Sequence, residues 1–137
     1  MDDVHLLAAT LFSETKDLED AKGVANVILN RTKRPERFGN NIQEVIYAPY
    51  QFSGVGTDEF NKAANLKFKD KNEENIFKQF LSVSSAALKG QLEDNTDGAD
   101  HYVNLKLTRP KWSKVYQKAT KIKDHTYYRE IPKKEKK

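Results

Sequence analysis

The chain has 137 residues, 24 Lys and Arg against 20 Asp and Glu, and a net charge of +4. That length suits one domain with a single core, and no apolar run approaches the roughly 20 residues of a membrane-spanning helix, so stable membrane insertion is not expected. With no cysteine, disulfides, thiol nucleophiles and cysteine-bound metals are excluded, and His5, His101 and His125 fit no metal-ligand spacing, so neither a metal nor another cofactor is expected.

The first predicted helix runs from Asp3 to Thr15. Val4, Leu7, Ala8 and Leu11 recur at helical spacing, and the next position on that face is Glu14. A carboxylate set into an apolar stripe at a helix C-terminus is partly desolvated and faces the negative end of the macrodipole. Both effects favour the neutral acid, which is what a general acid near neutral pH requires. On position alone, a salt-bridged or surface glutamate is the commoner outcome.

A second helix is predicted over 19–32, capped by Asp17, with Ala21, Val24, Ala25, Val27 and Ile28 on its buried side. Pro35 and Gly39 end it, and Asn41 caps a short helix, IQEVIYA, that stops at Pro49. PYQFSGVGTDEF is turn chemistry. Residues 61–71, NKAANLKFKDK, read as a short helix followed by a loop. A long helix over 72–88 carries Ile76, Phe77, Phe80, Leu81, Ser84, Ala87 and Leu88 inward, with Gly90 at its end.

Beyond Gly90 the character changes. HYVNLKL hints at strand alternation, PKWSKVYQKA at a helical turn after Pro110, and KIKDHTYYREI at a hairpin. The basic end, 131–137, reads as a disordered tail after a single domain over 1–130. The fold class is therefore mainly α, with a small irregular β portion near the C-terminus.

No phosphate-binding glycine loop or nucleophile elbow is present. The residues left for chemistry are Glu14, Gln51 and Ser53 in a turn, Tyr102 and Asn104 in an extended piece, Trp112, His125 and Tyr127. Each has an ordinary reading as a packing or turn residue. All but Glu14 lie outside the helical stripes, where functional loops sit. The basic residues are interleaved with twenty acids and form no stripe with aromatics, so nucleic acid is not an expected partner.

The order of segments resembles the cell wall hydrolase family of spore-cortex-lytic enzymes and related phage endolysins. Glu14 is followed after fifteen residues by Asn30-Arg31, closing GVANVILNR. RFGNNIQEVIYAPYQFSGVG, GADHYVN and KDHTYYR follow in the family's order. The resemblance spans Leu6 to Arg129. It departs after Glu14, where TKDLED replaces a longer stretch with a second glutamate. Asp17 and Glu19 stand only loosely in that place. Leu105 replaces a proline, His101 replaces a tyrosine, and residues 58–71 find no match.

The resemblance implies a lysozyme-like domain and a bacterial peptidoglycan substrate. It implies cleavage of the bond between N-acetylmuramic acid and N-acetylglucosamine, with Glu14 as the catalytic acid. Gln51, Ser53, Tyr102, Asn104, Trp112, His125 and Tyr127 are then the substrate-binding candidates. No second carboxylate occupies an equally apolar context, which points to a lytic transglycosylase leaving 1,6-anhydro ends. A hydrolytic muramidase and an inactive peptidoglycan-binding module are the alternatives. The N-terminus shows no signal-peptide pattern. A monomeric phage endolysin is expected, made in the host cytoplasm and acting on the wall after the membrane is breached.

Overall fold

A computed structural model describes residues 1–49 and 51–132. Six helices precede a small sheet: α1 Asp3–Glu14, α2 Leu18–Thr32, α3 Pro35–Phe38, α4 Ile42–Tyr47, α5 Asp58–Ala64, α6 Lys71–Leu88, β1 His101–Val103, β2 Gln117–Ile122 and β3 His125–Arg129. The expected tail falls, from residue 133 onward, outside the described residues.

Most helix starts are written in the sequence. Asp2, Asp17, Asn41, Thr57 and Asp70 each accept a bond from a first-turn backbone N–H, satisfying a donor that the helix itself leaves orphaned. The long C-terminal helix α6 ends before Gly90, whose φ of +71° continues the chain in the left-handed region.

Helix α1 is more buried than a one-sided stripe requires. Every residue from Leu6 to Phe12 is buried, because α2, α4, α5 and α6 all pack around it. The hydroxyl of Thr10, which would otherwise be an unpaired polar group in this core, donates to the Leu6 carbonyl at 2.8 Å. Leu88, expected inward, lies at the surface end of α6.

The sheet has the order β1-β3-β2, all antiparallel, with Tyr102 opposite Tyr127. PKWSKVYQKA makes only one 3₁₀ turn, Lys111–Lys114, before extending into β2. The strand thus begins earlier than the hairpin expected from KIKDHTYYREI. Helix α2 joins the two parts. Its apolar side enters the helical core, while Val27 packs against Ala99 and Tyr127 of the β portion.

Candidate active site

Glu14 ends α1 at the seam between the helices and the sheet. Tyr102, from β1, donates its hydroxyl to Glu14 Oε1 at 2.9 Å. Burial pushes the Glu14 carboxyl above its ordinary range, against the opposing pull of the Tyr102 hydrogen bond and of His125. Burial, together with the neighbouring carboxylate, likewise holds the Tyr102 hydroxyl well above its usual value, so it stays a donor. With Oε1 accepting from Tyr102, Oε2 is the carboxyl oxygen left without that partner.

A cleft of about 500 Å³ opens over this carboxyl. Its lining includes Glu14, Gln51, Ser53, Tyr102, Asn104, Trp112 and His125. Seven residues singled out in the sequence are thus brought together from five separate stretches of chain. The loop with Gln51 and Ser53 is pressed against the end of α1 at Gly54. A Cβ there would stand 2.7 Å from Ser13 Cβ and closer still to its hydroxyl. Only glycine allows that approach beside Glu14.

Arg31 anchors the same loop from below. It is 4% exposed, donates from Nε to the Asp100 carbonyl at 2.8 Å and from a terminal nitrogen to Gln51 Oε1 at 2.9 Å. Its neighbour Asn30 donates to the Ala99 carbonyl at 2.9 Å. The Asn-Arg pair therefore ties α2 to both walls of the cleft. Trp112 stacks on Tyr116 with centroids 5.6 Å apart and meets Tyr128 edge-on, which leaves it held by aromatic packing at the rim.

Tyr127 departs from expectation. It is fully buried, so its ring has no face open to a sugar. Its hydroxyl donates to Asp20 Oδ1 at 2.6 Å. His125 Nδ1 donates to Asp20 Oδ2 at 2.6 Å, and its ring stands edge-on to Tyr102 at 4.8 Å. His125 thus both faces the cleft and braces β3 against α2.

Asp20 is the residue that sequence reasoning missed. It is 2% exposed and lines a second hollow together with Glu14, Asp17 and His125. The expectation that no second carboxylate shares an apolar setting is therefore corrected. The signal was present: Asp20 lies four and seven residues before Val24 and Val27, on the same inward face of α2. Both its side-chain oxygens are engaged by Tyr127 and His125. The other carboxylates are committed elsewhere. Asp17 caps α2, Glu44 accepts from the Asn40 N–H, and Asp97 pairs with Arg129. Asp100 binds Arg34, His101 and the Glu130 N–H. Among the described residues no cluster of His, Asp and Glu could hold a metal ion.

Residues 16–128 match the profile of the family described as Cell Wall Hydrolase. The chain belongs to the cell wall hydrolase family. Glu14 lies just ahead of the matched span. The catalytic domain of the germination-specific lytic transglycosylase SleB from Bacillus anthracis has a similar structure. The TM-score is 0.64 at 22% identity, and the match covers 93% of each chain. That likeness concerns the fold, and it makes this a mainly α, lysozyme-like domain of the SleB type. No curated protein matches the sequence. Degradation of cell wall peptidoglycan is the activity class that family and fold support together. Among the described residues no helix is long and apolar enough to cross a membrane.

Proposed function

We propose that the chain is a lytic transglycosylase that cleaves the β-1,4 bond between N-acetylmuramic acid and N-acetylglucosamine, with Glu14 as its single acid/base. The observation that carries this reading is the desolvated Glu14 carboxyl, hydrogen-bonded by Tyr102 on one oxygen and facing the cleft. Protonated Glu14 gives its proton to the departing glycosidic oxygen as the C1–O bond breaks. Its carboxylate then takes the proton of the muramic C6 hydroxyl while that oxygen bonds to C1. The 1,6-anhydro ring closes, no water is consumed, and the carboxyl ends in its starting state.

Gln51, Ser53 and Asn104 offer amide and hydroxyl groups to the sugar, and Trp112 an aromatic edge at the rim. Tyr102 keeps Glu14 oriented. Residues 1–130 act as one catalytic domain, and a single copy carries every residue of the cleft. The positive excess suits an anionic wall, in keeping with a bacteriolytic phage endolysin released onto the wall from the host cytoplasm.

Asp20 gives the hydrolytic reading its one support. A two-carboxylate glycosidase needs its second carboxyl about 5–9.5 Å from the first and open to the sugar or a water. Asp20 is closed off by Tyr127 and His125, which favours the single-acid route.

Mass spectrometry of soluble products from purified peptidoglycan separates the readings. The transglycosylase reading requires muropeptides ending in 1,6-anhydro-muramic acid, lost on Glu14→Gln. Products one water heavier would instead establish a hydrolase. Binding without products from the unmodified protein would establish a wall-binding module.

A further inference from the structure

A third hollow, of about 300 Å³, lies behind one wall of the cleft and is lined by four cations, Lys106, Arg109, Lys118 and Lys121, with Asp124 and Thr126. The partition between the two is the segment from Asn104 to Pro110. Asn104, Leu107, Thr108 and Pro110 face the cleft, whereas Lys106 and Arg109 face the hollow. At the other edge, Asp124 lines the hollow and its neighbour His125 the cleft.

The β2 strand is shaped to build this charge. Its pairing with β3 shifts register between Lys118 and Thr120. Regular alternation would set Lys118 and Lys121 on opposite faces. The irregularity rephases the strand, so Ala119 and Ile122 pack inward around Tyr127 while Lys118 and Lys121 both reach the hollow. The one carboxylate there, Asp124, pairs with Lys106 at 3.2 Å. The described lining holds no second carboxylate to balance Arg109, Lys118 and Lys121. Three like charges gathered without a counter-charge repel one another, which favours an anion between them.

We propose that this hollow is a subsite for the carboxylates of the peptide stems carried by the same glycan strand that occupies the cleft. The inference rests on the proposed peptidoglycan-cleaving function. The shared wall selects this source of negative charge: an anion covalently attached to the muramic residue arrives with the strand, close to the sugar being cleaved. A phosphate-bearing polymer that is not attached to the glycan strand has no such tether.

The test compares kcat/KM on purified, phosphate-polymer-free glycan strands with free stem carboxylates and on the same strands with those carboxylates converted to amides. The unmodified protein should favour the anionic strands by about three- to tenfold, the scale of a few exposed ion pairs. The Lys118→Gln/Lys121→Gln protein should lose that preference while matching the unmodified protein on amidated strands, and salt near 0.5 M should shrink the preference in the unmodified protein alone. Equal activity of the unmodified protein on both strands overturns the subsite, as does an equal loss by the variant on both. A variant defect seen only on walls that retain phosphate polymers would reassign the hollow to those polymers. Cleavage of neither strand would overturn the peptidoglycan-cleaving function itself, and the subsite with it.

Discussion

Gly23→Ala puts the junction between α2 and the sheet to a quantitative test. Two effects of opposite sign compete at this position. In a helix interior, Ala is favoured over Gly by about 1 kcal/mol, so an open site would be stabilised. Here the new Cβ would stand 2.7 Å from Tyr127 Cζ, 3.1 Å from its Cε2 and closer still to its hydroxyl oxygen. Tyr127 is fully buried and cannot swing aside. Overpacking of this kind costs about 1–3 kcal/mol. Displacing the ring also strips Asp20 of a 2.6 Å hydrogen bond, and a buried acceptor left short of its donor costs a further 1–3 kcal/mol or so. The net expectation is a loss of roughly 1–5 kcal/mol, read as a lower urea midpoint at an unchanged m-value, with Tm falling by about 4 °C per kcal/mol at this size. Tyr127→Phe should be destabilised through the same lost bond, and the double variant should lose less than the two single variants added together. A Gly23→Ala protein about 1 kcal/mol more stable than the parent would refute the close approach and the account of Asp20 with it.

Three further substitutions probe the carboxyls. Glu14→Gln should be more stable than the parent at neutral pH. The folded carboxyl titrates above the unfolded one, so the parent loses stability as pH rises through that window. The advantage should vanish below the unfolded pKa, and thermal melts from about pH 3 to 8 that show a constant difference would contradict it. Tyr102→Phe removes the donor that favours ionised Glu14. The alkaline limb of the kcat/KM profile should therefore move to higher pH, and an unmoved limb would mean that Glu14 is not the titrating acid. Asp20→Asn should cost about 1–3 kcal/mol of stability yet retain measurable turnover with anhydro products; a loss as deep as that of Glu14→Gln, typically 10²–10⁴-fold for a general acid, would make Asp20 part of the chemistry.

Local chemistry explains which parts were legible in the sequence. Capping residues and apolar periodicity are properties of neighbouring residues, so the starts of α1, α2, α4 and α6 could be read directly. Glu14 stood out because it interrupts an apolar run. Pairing over long separations is not written locally. Asp20 meets His125 across 105 positions, and nothing near Asp20 announces the imidazole. Tyr127 was a stacking candidate because aromatics outside the helical stripes can meet a sugar. As the central strand, β3 is flanked by β1 and β2, and Thr126 to Arg129 are all buried. The register shift in β2 hid that strand by breaking the period on which its recognition depends.

The same long-range contacts bear on why we propose Glu14, and not Asp20, as the acid. Both carboxyls are withdrawn from water, but burial alone does not make a catalyst; what the surrounding donors do to each oxygen decides it. Glu14 receives one side-chain hydrogen bond, so one oxygen is fixed and the other remains able to hold and release a proton toward the cleft. Asp20 receives a donor on each oxygen, which leaves neither oxygen for a substrate. One helix end thus presents the carboxyl we propose as the acid. A structural carboxyl in the first turn of the next helix binds the hairpin whose His125 completes the cleft wall. The side chains beside Glu14 in the cleft come from β1 and β3, Tyr102 by its hydrogen bond and His125 in the lining.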